Sequence, residues 1–175
     1  MILFLGELCF SSNLFGQVAF LPNMGQWEKQ VSYRMDHGNY SLFLEEKGFT
    51  YAFYGAPACH GSACAHQLHS HDVAMKGHAI KVQFAGAKSG LSLKGTNKMK
   101  GYRNFYLGKN KAKWADHVPL FEGVEYPQLY DNIDLQVYSH AGQLKYDFWL
   151  HPGGNPQDIE LVYEGAMGMA VDRTG

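Results

Sequence analysis

The sequence predicts an all-β domain, an antiparallel, sandwich-like arrangement of short strands and hairpins. Three observations carry that reading. Apolar and polar residues alternate in short runs, as they do on strands that bury one face. Clusters of Gly, Asn, Asp and Pro punctuate those runs at near-regular intervals. No run shows helical spacing sustained over three turns. The clearest stretch is Ile133 to Leu150, where Ile133, Leu135 and Val137 alternate with Asp134, Gln136 and Tyr138. After Ser139-His-Ala-Gly142, Leu144, Tyr146, Phe148 and Leu150 alternate with Lys145, Asp147 and Trp149. A hairpin follows, with Gly142 supplying the left-handed backbone of its reversal. The rest of the sheet is expected to build on this hairpin, with Leu144, Tyr146, Phe148 and Leu150 as a core face.

Before the hairpin, Val31–Met35, Tyr40–Leu44 and Phe49–Tyr54 read as successive strands, with turns at His37-Gly38-Asn39 and Glu45–Gly48. Residues 55–77 break the pattern as a loop rich in Ala, His, Ser and Gly. Alternation resumes in His78–Phe84, then in short pieces at Leu91–Leu93 and Asn104–Gly108. Val118 to Tyr126 is extended, and Pro127 marks an edge or a bend. After the Pro152–Pro156 turn, Ile159–Tyr163 is a strand. Val171–Gly175 reads as the first arm of a further hairpin, so the chain is expected to continue beyond it.

The 175 residues suit one domain, and 46% hydrophobic with 14% aromatic residues supplies a substantial core. A net charge of -1 gives no overall attraction to nucleic acid or to an anionic membrane. The apolar start, Met1-Ile-Leu-Phe-Leu, runs through Leu8-Cys9-Phe10 to Phe15-Gly16-Gln17. It reads as a secretory signal peptide over residues 1–16, although no Lys or Arg precedes it and Glu7 interrupts it. The run is too short for a transmembrane segment. Export and cell-surface or secreted localisation follow as expectations.

Cys59, His60, Cys64, His66, His69 and His71 crowd one loop. Zn²⁺ takes four such ligands in a tetrahedron, but no second, separated ligand pair is present. A Cys59–Cys64 disulfide is the alternative in an exported chain, closing a short loop worth roughly 2 kcal/mol. A plain surface loop is the third reading. Asp131, Asp134 and Asp147 are the carboxylates to weigh for glycoside hydrolysis or a Ca²⁺ site, and exposed hairpin charges are the simpler account. No nucleophile elbow, zincin, phosphate-loop or dinucleotide motif occurs.

Charge is segregated. Between Val73 and Ala115 there is no acid but ten Lys or Arg, whereas Asp116 to Glu164 holds nine acids and a single base, Lys145. Either a basic face takes an anionic glycan or acidic partner, or two solvated halves attract each other. Trp27, Trp114 and Trp149 are core or sugar-stacking groups; Trp114 and Trp149, with Lys109, Lys111 and Lys113, are the ligand-contact candidates.

Several pieces together resemble one family: Asn23-Met-Gly-Gln-Trp27, His78–Phe84, Asn104–Gly108 with Lys113-Trp114, Tyr130-Asp-Asn-Ile-Asp-Leu135, Gly142–Phe148, and Ile159-Glu-Leu161 with Glu164-Gly-Ala166. In order and spacing they are similar to the uncharacterised N-terminal β-domain of large exported bacterial proteins, often of Bacteroidota. The resemblance covers about Phe20 to Gly175. It implies a longer parent chain that continues into SBBP-type β-propeller repeats or PKD-like modules. Two departures stand out: Met24 replaces the family's usual Lys, and Asp131-Asn132 replace its Pro-Gly. The resemblance brings no catalytic residues and no cofactor. The expected function is a non-catalytic extracellular module for adhesion or assembly, with downstream modules, a glycan or a surface protein as partners. A carbohydrate-binding module is the alternative, and a glycosidase-type enzyme ranks behind both.

Overall fold

The computed structural model describes residues 18–55, 77–140, 143–168 and 170. The N-terminal stretch to residue 17, the Cys/His cluster, the Gly142 reversal and Val171–Gly175 lie outside the described residues.

Among the described residues ten strands make one antiparallel sheet: β1 (Phe20–Pro22), β2 (Val31–His37), β3 (Tyr40–Glu45), β4 (Gly48–Tyr54), β5 (Gly77–Ala85), β6 (Lys94–Phe105), β7 (Ala115–Tyr130), β8 (Ile133–His140), β9 (Gln143–Leu150) and β10 (Glu160–Glu164). Their order is β10-β5-β4-β3-β2-β1-β7-β8-β9, and β6 pairs with β7. The all-β class stands, and the architecture is a single curled sheet. The β8–β9 hairpin forms in the expected register, Ile133 opposite Leu150 and Leu135 opposite Phe148. It closes one end of the sheet, however, and is not its centre. Strand β9 has no partner on its far side among the described residues, so Leu144, Tyr146 and Phe148 are only half-buried and Leu150 is 46% exposed.

The curl comes from side chains on the concave face. Strands β4, β5 and β10 stand far from β7 and β9 in the sheet order, yet their rings touch. Phe84 meets Tyr126 edge-on at 5.4 Å, and Phe49 lies 5.9 Å from Tyr146. The Tyr126 hydroxyl donates to the Gly48 carbonyl at 3.1 Å, and Tyr130 does the same to Glu160 at 3.2 Å. Around these rings lie Phe20, Met35, Leu42, Leu44, Val82, Val124, Ile133, Leu135 and Val137, all buried. A smaller cluster of Leu21, Ala115 and Val118 packs with Trp27 and Phe105. Phe20 and Leu21 are neighbours on β1, so both faces of that short strand are covered.

Irregularity in β7 and its neighbours bends the sheet. The β7–β8 register shifts between Tyr126 and Tyr130, where Pro127 offers no amide and Gln128 takes φ 52°. Asn132, in the Asp131-Asn132 turn, takes φ 58°, a conformation asparagine tolerates better than most residues. Gly95 is required by contact: a Cβ there would sit 2.5 Å from the Phe121 ring.

Two strand expectations change: Leu91–Leu93 is not a strand, and Asn104–Gly108 is strand only to Phe105. Strand β1 and most of β6 had no apolar alternation to announce them. Strand β6 is largely exposed along its length beyond Thr96, so most of its lysines face water and no buried face imposes a period. Pairing β6 with β7 sets the basic and acidic segments side by side, Lys94 opposite Glu125.

Tyr126→Phe keeps the ring and removes the donor to Gly48. It should lower stability by about 1–2 kcal/mol, read as a lower urea midpoint with an unchanged slope.

Candidate functional site

The outer face of β6, β7, β8 and β9 carries the side chains that alternate with the core. Across the hairpin Asp134 stands opposite Trp149 and Gln136 opposite Asp147. Across β7–β8 Glu125 stands opposite Gln136 and Gly123 opposite Tyr138, and Thr96 of β6 stands opposite Gly123. Trp149 is 58% exposed on this face. It separates two hollows. One, of about 280 Å³, is lined by Thr96, Asn97, Glu122, Gly123, Gln136, Tyr138, Ser139 and Asp147. The other, of about 200 Å³, is lined by Glu125, Asp134 and Gln136. In the first, Gly123 brings no side chain, and Thr96 Oγ1 is buried without a hydrogen-bond partner among the described residues.

Two of the three candidate carboxylates lie here. Asp134 and Asp147 are diagonal neighbours on one face, a placement that puts Cα atoms roughly 7–8 Å apart in a regular antiparallel pair. Both are engaged. Asp134 accepts from the Gln128 amide at 2.6 Å and bonds His151 Nε2 at 2.7 Å. Partial burial alone would raise its pKa, but the Gln128 amide and His151 outweigh that and hold the carboxyl below the usual range. Asp134 therefore pins the bulge at Gln128. Asp147 accepts from the Tyr138 hydroxyl at 2.7 Å, and that hydrogen bond, with its charge, pushes the phenol up. Asp131 sits apart in the β7–β8 turn, paired with Lys88 at 2.7 Å. Among the described residues no three His, Cys, Asp or Glu side chains converge on a common point.

The other ligand-contact candidates gather elsewhere. Trp114 follows the short 3₁₀ turn Lys111–Lys113 and is exposed beside Lys111, whose ammonium lies 5.7 Å from its ring centroid. Lys113 is taken by Glu28 at 2.7 Å, which holds the Glu28 carboxyl below its ordinary range. Trp27 is half-buried, edge-on to Phe105 at 5.4 Å. Cys59, His60, Cys64, His66, His69 and His71 lie outside the described residues. The sequence reading missed Gln136, Tyr138, Glu125 and Thr96. The first two were readable from the alternation of β8, which sends them to the face of Asp134, whereas Thr96 lies on a strand without an apolar signal.

A wider, open recess of about 780 Å³ lies beside the loop from β1 to β2. At its rim Glu28 pairs with Lys113, and the amides of Asn23 and Gln26 are committed to the backbone. Asn23 Nδ2 donates to the Glu28 and Val31 carbonyls at 2.9 and 2.8 Å, and its Oδ1 accepts from the Gly25 and Trp27 amides at 3.0 and 3.2 Å. Gln26 bridges the Met24 amide and the Pro22 carbonyl at 2.7 and 2.8 Å. The Asn23–Trp27 stretch is thus a hydrogen-bonded knot that fixes how the chain enters β2.

A family described as a domain of unknown function, DUF7948, matches residues 20–175, and the chain belongs to it. No curated protein and no solved structure matches.

Asp134 supplies a pH test. A carboxyl held low in the fold adds stability above its unfolded value of about 3.9, and loses it as pH falls through the folded value. Asp134→Asn should therefore be less stable than the parent near neutrality, and the gap should shrink as pH falls below the unfolded value and the carboxyl takes up its proton in the fold, measured by urea denaturation at each pH.

Proposed function

We propose that this member of the DUF7948 family is a non-catalytic recognition module of an exported bacterial multidomain protein, serving adhesion or assembly, with the outer face around Trp149 as its contact surface. The observation that carries the reading is Trp149 itself, 58% exposed between two hollows on a sheet face whose opposite side is core. A large ring left in water beside carboxylates and amides is a contact group in waiting, since burying it releases apolar surface and its indole N–H still finds an acceptor. The engagement of Asp134 and Asp147 with Gln128, His151 and Tyr138 favours structural roles over an acid–base pair. Propeller repeats or PKD-like modules downstream, and a cleaved leader over residues 1–16, belong to the same proposal.

A carbohydrate-binding module is the second reading, favoured by what flanks the ring. Sugar faces stack on an indole, and Asp147, Gln136 and Asn97 are hydroxyl partners beside it. The unpartnered Thr96 Oγ1 would gain a bond from a hydroxyl entering the hollow. The acids Glu122, Glu125, Asp134 and Asp147 favour a neutral glycan.

A glycan array separates the two. Carbohydrate binding predicts retention of neutral glycans and about a tenfold weakening in Trp149→Ala, with the melting temperature unchanged. No glycan retained, with Trp149→Ala abolishing capture of a surface protein, places the module in protein assembly.

A further inference from the structure

A second surface, distinct from the Trp149 face, joins exposed rings to unpaired cations. It is built by the end of β6, the segment 106–110 and the Lys111–Lys113 turn. Tyr102 and Tyr106 are each 54% exposed and Trp114 is 38% exposed. The rings are held. Tyr106 meets Trp114 edge-on at 5.7 Å, and Trp114 Nε1 donates to the Gly108 carbonyl at 3.2 Å. Tyr102 lies 4.3 Å from the His117 ring, and the His117 amide donates to Asn104 Oδ1 at 2.8 Å. None of the ion pairs among the described residues uses Arg103, Lys109 or Lys111, and Lys98 and Lys100 on the same strand are also outside them.

We propose that this patch binds an acidic polysaccharide, a polymer of sugar rings bearing carboxylate groups. Rigid aromatic faces with polar edges suit the C–H faces of sugars, and ordering them costs little because Trp114 is already hydrogen-bonded and Tyr106 and Tyr102 already pack against Trp114 and His117. Lysines outside any ion pair among the described residues, Lys111 beside the Trp114 ring and Lys109 close by in the chain, suit carboxylates spaced along a polymer as point charges. A bilayer is a poorer fit. Leu107 is the one large aliphatic side chain exposed between residues 102 and 117, too little apolar surface for insertion. The acid-lined hollows at Trp149 repel a polyanion, so this inference does not rest on carbohydrate binding at that face.

The test titrates the chain calorimetrically with oligogalacturonate, with dextran as a neutral control, with poly-glutamate as a charge control and with phosphatidylglycerol vesicles. Oligogalacturonate should bind, weakening about tenfold or more between about 0.05 and about 0.5 M NaCl. Trp114→Ala, Tyr106→Ala and Lys111→Gln should each weaken it several-fold with melting unchanged, and Trp149→Ala should not. Tyr106 is exposed enough that its loss serves if Trp114→Ala unfolds. Equal affinity for poly-glutamate, vesicle binding without oligogalacturonate binding, or indifference to both ring substitutions would overturn the proposal.

Discussion

The structure depends on one contact region, where Tyr126 of β7 closes the curled sheet onto β4 and β5. Its ring meets Phe84, its hydroxyl reaches the Gly48 carbonyl, and full burial drives its phenol pKa far up, so the group stays neutral and can donate at any ordinary pH. Gly48 is suited to the site because a Cβ would lie 2.2 Å from the Val82 carbonyl oxygen. Phe49, next in the chain, meets Tyr51 on its own strand, Phe84 on β5 and Tyr146 across the fold on β9. Without these rings ten short strands would form a ribbon with two wet faces. With them, one face becomes interior, and the other, away from the small cluster of Leu21, Ala115 and Val118, is left free to carry side chains that do not pack.

That division explains how much was legible in the sequence. Wherever a strand buries one face, alternation declared it: Ile133, Leu135 and Val137 are buried, and Asp134, Gln136 and Tyr138 point outward as the period demands. The same logic fails for β6, where solvent on most of the strand removes the period, and for β1, where both faces are covered and three residues are too few to show one. It also overstates β9. Leu150 obeys the alternation, but no strand lies beyond β9 among the described residues to cover it. The site was legible in part, since Trp149 and the two aspartates were found, whereas their companions from β6 and β7 depend on a pairing between strands far apart in sequence. Asp131 and Asp134 look adjacent along the chain, and the turn sends one to Lys88 and the other to Gln128 and His151.

The electrostatics of the two outer surfaces oppose each other for a topological reason. The chain writes its bases first and its acids second, and antiparallel pairing of β6 with β7 lays the two blocks along one another. Where they overlap, at Lys94 and Glu125, charge is mixed. Beyond the overlap acids gather around Trp149, whereas around Trp114 the lysines outnumber Glu28, which pairs with Lys113, and Asp116, which lies against His117. A protein with a net charge of -1 thus presents two strongly different fields, which its average conceals.

The Asn23 knot bears on how such a chain reaches its native state. Its hydrogen bonds span only two to eight residues, as do the turns of β2–β3 and β3–β4, and contacts of that reach form quickly. Closure is of another kind: Tyr126 finds Gly48 across 78 residues, and Gln83 finds Glu164 across 81. Loop-closure entropy must be met before those contacts return anything. Topology therefore favours an early, local stage that positions the first hairpins over the later closure of the sheet on Phe49, Phe84 and Tyr126. The knot anchors the first stage, and the rate of the second is set by topology.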